Sequence, residues 1–174
     1  MNRVFFSKEN GIFYLLSFLT GISYVMKGSL NDDIISDLAF SNFVAYGPNI
    51  IILILIGIKV GRGLHISNLL IPRLSYRTFL ITQYLSAILM MFIYLMSQYG
   101  LAFLLSNIQL PVVWTFVRLF FITNTSVMIC ATLIISLMNY GIKRVWVLLL
   151  SIALVLFYHY AYLIGYLTEI YPLL

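Results

Sequence analysis

Residues 43–60 read FVAYGPNIIILILIGIKV, with seven consecutive Ile or Leu residues at 50–56. One charge, Lys59, stands near the end of this stretch. Hydrocarbon about 30 Å thick needs roughly 20 mostly apolar residues in a helix. The run after Pro48 supplies about a dozen, so residues 43–47 are needed to complete a crossing. Pro48 falls early enough for a helix to tolerate it, whereas deeper in the helix it would produce a kink.

Four further stretches have the same character. They run over about 12–30, 79–97, 112–138 and 145–167. The whole chain of 174 residues is 63% apolar and 9% charged, with a mean hydropathy of +1.05. Soluble domains run at roughly 45–50% apolar and about 25% charged. Too few charges remain to wet a soluble surface, and the same numbers exclude intrinsic disorder. The expected fold is an all-α polytopic membrane bundle, a single transmembrane domain over 1–174 with about five transmembrane helices.

Charge position then predicts orientation, because inner loops carry the excess of Lys and Arg. With the N-terminus inside, the inner side holds Arg3, Lys8, Lys59, Arg62, Arg73, Arg77, Lys143 and Arg144 against Glu9. The outer side holds Lys27 against Asp32, Asp33, Asp37 and Glu169. The alternation predicts five crossings, N-terminus inside and C-terminus outside. The net charge of +5 is then a signature of topology and of attraction to anionic lipid, not of nucleic-acid binding. The first stretch lacks a small-residue cleavage site, and Lys27 follows it directly, so it is expected to remain as a span.

Two segments between spans are not simple loops. Residues 31–41 (NDDIISDLAFS) read as a short helix on the outer surface. Residues 101–110 (LAFLLSNIQL) are apolar but too short to cross, and read as an interfacial or re-entrant piece.

Chemistry-bearing motifs are few. Cys130 stands alone, as a small apolar residue expected in a helix contact. His65 and His159 fall on opposite sides, which disfavours a shared metal; no metal or cofactor is implied. Gly61-Arg62-Gly63 is too short for a phosphate loop, so ATP would be bound by another chain. Asp32, Asp33 and Asp37 have the DD-x-x-x-D spacing of membrane prenyltransferases. The facing acidic cluster has only Glu9 and Glu169 to draw on, so they read as solvated helix-start acids, and no enzyme is expected.

Arg118 lies six residues into the fourth span, where an arginine costs about 2.5–3.5 kcal/mol at the bilayer centre. It either reaches the outer interface along its aliphatic stem or faces the interior. Thr123, Asn124, Thr125 and Ser126 follow near mid-membrane, where polar side chains bond across helix contacts or line a cavity. His159 stands among Tyr158, Tyr160 and Tyr162, as an aromatic belt or a cavity wall. The candidate translocation path is therefore Arg118, Asn124, Ser126 and His159.

The loop with its flanks, residues 59–90, reads KVGRGLHISNLLIPRLSYRTFLITQYLSAILM. Its basic, amphipathic part at 61–78 suits the inner membrane surface. The run Pro72-Arg73-x-Ser75-x-Arg77 before an apolar span resembles the segment after the second helix of ABC-2-type permeases. Residues 1–12 (MNRVFFSKENGI) are similar to the interfacial elbow of that family. The resemblance implies a transport subunit in a bacterial cell membrane, exporting a peptide or lipid-like substrate. It also implies a separate ATP-binding subunit docked at Arg62, Arg73, Ser75 and Arg77. Family members normally have six spans with both termini inside. Five spans imply a reduced subunit that works in a homo- or hetero-oligomer with another membrane subunit. Two other classes fit the same composition. One is an accessory or immunity protein that binds a partner's transmembrane helices. The other is the substrate-binding membrane subunit of a vitamin-uptake transporter, although no Ala-x-x-x-Ala occurs in the first span.

Overall fold

The computed structural model describes residues 8–28, 42–65, 75–105 and 111–167. Among them there are helices and no strand. The elements are α1 (Lys8–Gly28), α2 (Asn42–His65), α3 (Tyr76–Leu105), α4 (Pro111–Ser136) and α5 (Arg144–Phe157). A 3₁₀ turn, Leu137–Tyr140, follows α4, and a π-helical segment, Tyr158–Leu167, continues α5. The expected surface helix at 31–41, half of the basic segment 61–78 (66–74) and residues 106–110 lie outside the described residues.

The helical membrane bundle expected from composition is present. Tyr46–His65, Tyr76–Ala102, Arg118–Tyr140 and Arg144–Gly165 are each long and apolar enough to cross a bilayer. In α1, Asn10–Ser23 forms a shorter apolar stretch. Phe92, Met96, Ile122, Trp146, Leu150 and Phe157 point away from the bundle. Apolar side chains on this outward face suit lipid, because water would find a large sticky surface.

Three boundaries differ from expectation, each for a local reason. Helix α2 runs five residues past position 60, to His65. Nothing in Gly-Arg-Gly-Leu-His breaks it, and Arg62 and His65 in the last turn complement the helix dipole. Lys59, expected next to the inner end of its span, therefore lies more than a turn inside the helix. Second, residues 101–105 are the end of α3 and not a separate piece, because no proline interrupts the chain there. Ala102 is fully buried in that extension. Third, the α-helix of the fourth span gives way at Ser136, two residues before the expected 138, to the 3₁₀ turn. Gly141 takes a left-handed φ of 84° and donates its N–H to the Met138 carbonyl at 3.1 Å.

Helix α2 is central and packs against each of the other four. Its Ile52, Leu53, Ile56 and Val60 are fully buried with Ala87, Met90, Met128, Ala131 and Ile135. Without a hydrophobic force between helices in lipid, close approach at small residues must supply the packing. Gly57 provides it between α2 and α5: an added Cβ would lie 2.7 Å from Leu148 Cδ2. Gly21 provides it between α1 and α3, against Ser97 and the Tyr94 carbonyl.

The bundle has two unlike ends. Arg62, Arg77, Lys143 and Arg144 are exposed at one, the basic end. Tyr46, Tyr99, Tyr158, His159 and Tyr160 lie toward the other, the aromatic end. If the basic end faces inward, a membrane-impermeant maleimide applied from outside should label Ile35→Cys and Ile170→Cys but not Ile66→Cys. The background is Cys130→Ser, and the opposite pattern would invert the orientation.

Candidate functional site

Polar side chains inside the bundle form two groups. The first lies where α1, α2 and α3 meet near the basic end. Lys59 is 7% exposed, and its Nζ donates to Gln83 Oε1 at 3.5 Å. One turn along α3, Ser86 Oγ is 3.1 Å from Tyr14 Oη. Gly63 lies against the Gln83 side-chain amide so closely that no Cβ fits between them. Arg62, one turn after Lys59, places its guanidinium 5.5 Å from the Phe13 ring centroid.

The second group is a layer toward the aromatic end, contributed by α2, α3, α4 and the π segment. Tyr94 Oη donates to Asn49 Oδ1 at 2.7 Å, and both residues are buried. Asn124 Nδ2 donates to Tyr99 Oη at 2.8 Å. Thr123 Oγ1 and Tyr158 Oη are 2.7 Å apart. The His159 ring packs edge-on to Tyr46 at 5.4 Å. Gln98 is 1% exposed, and among the described residues its Oε1 has no hydrogen-bond donor. A buried acceptor left so costs about 1–3 kcal/mol.

The π segment belongs to this layer. The Tyr158 N–H reaches the carbonyls of both Leu154 and Val155. The wider turn stacks Tyr158 on Tyr162, with centroids 5.6 Å apart and planes 21° from parallel. It also places Tyr158, His159 and Leu163 on the buried side. Such departures from α-geometry concentrate at functional sites.

The structure divides the expected path residues. Asn124, 3% exposed, and His159, 2% exposed, are both in the aromatic-end layer, through separate partners. Ser126 is exposed and bonds the Ile122 carbonyl of its own helix at 2.7 Å. Arg118 is exposed on the outward side of α4. Helical rotation of about 100° per residue separates 118 and 126 from the buried face carrying 124. Cys130 is also exposed, not in the helix contact expected for it.

The expected docking residues divide too. Arg62 and Arg77 are exposed. Arg73 lies outside the described residues. Ser75 acts on its own helix end: at φ 60° its Oγ accepts the Thr78 N–H at 3.4 Å, capping α3.

Charge counting missed Lys59, because it treats every cation as a marker of topology. Its phase gave a signal, since 52, 56, 59 and 63 fall on one side of α2. Gln83, Tyr94 and Gln98 were missed as well. With Ser86 and Ser97 they form a polar stripe down the buried side of α3. Compared with protein-family models, curated proteins and solved structures, the chain matches none.

Proposed function

We propose that this chain is the membrane-spanning subunit of a transporter, with a separate ATPase bound at its basic end. The observation that carries the reading is the aromatic-end layer. Polar groups inside a bilayer-spanning bundle are costly and commonly mark a substrate path. Here they join four elements, and among the described residues the Gln98 acceptor has no donor, which leaves it to a ligand or water. The resemblance to ABC-2-type permeases supports export of a peptide or lipid-like molecule from a bacterial cell. The exposed Arg62, Arg77, Lys143 and Arg144 offer an acidic partner a docking surface at one end. Asn124, Tyr99 and His159 line the path in this reading, and Arg118 does not.

Gentle detergent purification from the native host tests it. An ATP-binding protein should co-purify, and an Arg73→Glu/Arg77→Glu variant should lose it while staying in the membrane. Isolation of the chain without such a protein would overturn the reading.

One observation favours a second reading, an accessory or immunity protein that binds a partner's transmembrane helices. Arg118, Ser126 and Cys130 all lie on the outward side of α4, where a partner helix would cover them. In that case the same purification yields a membrane protein instead, and Ser126→Leu weakens its retention.

A further inference from the structure

The α1/α2/α3 junction at the basic end holds a buried cation, Lys59, whose hydrogen bond goes to the neutral amide of Gln83. Lys59 Nζ carries three donors. Its hydrogen bond to Gln83 Oε1, at 3.5 Å, is at the long limit for such a bond. Arg62 follows one turn later on the neighbouring part of the same helix face. Like charges spaced three residues apart on a helix repel. The side chains described at this end include those of Lys59, Arg62, Arg77, Lys143 and Arg144. Lys59 and Gln83 are both buried, and Arg62 is exposed at the rim beside Phe13.

We propose that this junction binds a phosphate-type oxyanion, held by Lys59 from within and by Arg62 from the rim. The ammonium supplies a compact charge, and the guanidinium supplies the planar pair of donors that phosphate oxygens accept. Basic pockets between transmembrane helices suit phospholipid headgroups. A free phosphate group presents the same oxygens. The site is at the opposite end from the aromatic-end layer, and the proposal does not depend on the transport reading.

Native mass spectrometry of the detergent-solubilised full chain tests it. The probes are phosphatidylglycerol, inorganic phosphate and, as the zwitterionic control, phosphatidylcholine. Phosphatidylglycerol or phosphate should be retained well above phosphatidylcholine. Displacement of the lipid by millimolar phosphate identifies a site for the free anion; retention of the lipid alone identifies a headgroup site. Lys59→Met should lower retention at least tenfold, while Lys59→Arg keeps most of it. If Lys59→Met does not fold, Arg62→Gln carries the test, because Arg62 is exposed; it should lower retention severalfold. Arg77→Gln should leave retention unchanged. Equal losses from Arg62→Gln and Arg77→Gln would indicate a diffuse field and overturn the site. So would undiminished binding to Lys59→Met.

Discussion

Valine in place of Gly21 should separate α1 from α3 and leave much of the protein unassembled. A Cβ at this position would collide with Ser97 Oγ and lie 2.8 Å from the Tyr94 carbonyl oxygen. The hydroxyl can rotate away, at the cost of its own hydrogen bond to the Tyr94 carbonyl. The carbonyl cannot, because it belongs to the backbone of α3. Helix α1 must therefore retreat, and the retreat pulls on Phe13, on Ser17 and on the Tyr14–Ser86 hydrogen bond. Overpacking by single groups costs about 1–3 kcal/mol in well-filled interiors. A branched residue against backbone belongs at the top of that range. Gly11→Val is the matched control, since a Cβ there meets nothing within 4 Å. In detergent, Gly21→Val should lower the midpoint of thermal unfolding sharply and Gly11→Val should barely move it. Equal behaviour would show that the α1–α3 crossing is not tight at this point.

Lipid solvation explains which parts of this structure could be read from the sequence. The run 50–56 identified α2 as a span because nothing but hydrocarbon or a deep core accepts seven such residues in a row. It said nothing about which side of α2 faces protein. In water, the apolar side of a helix is the buried side. In a bilayer both sides are apolar, and here Ile51 and Ile54 face outward while Ile52, Leu53 and Ile56 are buried. The informative residues are then the polar and small ones. Asn49, Lys59, Gly57 and Gly63 all lie on contact sides of α2.

The same principle accounts for the readings that the structure changes. Arg118 attracted a functional role through its cost at the bilayer centre, but an arginine near a helix end can extend its stem toward water. Lys59 looked inexpensive beside the end of its apolar run, and the longer helix carried it into the bundle. Residues 101–105, read as part of a separate piece too short to cross, follow Ser97, Gln98 and Gly100, which interrupt the apolar run. Ser97 and Gln98 instead face inward, and the helix continues past them. The π segment had no sequence signal, since YHYAYLIGYL has no break from the α-helical apolar run before it.

Tyr94 offers the sharpest separation of packing from polarity. It is fully buried, and its hydroxyl crosses from α3 to Asn49 on α2. Tyr94→Ala removes the ring and leaves a cavity between α2 and α3. Truncations of this size cost about 3–5 kcal/mol in soluble cores. Lipid removes the hydrophobic part of that cost but not the lost contacts, so the loss should still approach about 3 kcal/mol. Tyr94→Phe keeps the ring and deletes one interhelical hydrogen bond. Such bonds average roughly 0.6 kcal/mol in membranes and reach about 1.7. The two variants should therefore differ severalfold in stability loss at the average bond strength, and nearly twofold at the upper limit, measured by thermal unfolding in one detergent. Tyr94→Phe combined with Asn49→Ala should cost less than the sum of the single changes, because both remove the same bond. If Tyr94→Phe proves as damaging as Tyr94→Ala, the aromatic-end layer is held by its hydrogen bonds, and the helix interfaces contribute little. If it is mild, Tyr94→Phe becomes the variant for testing transport. It alters the polarity of the proposed path while leaving the bundle assembled, so a transport defect could not be blamed on folding.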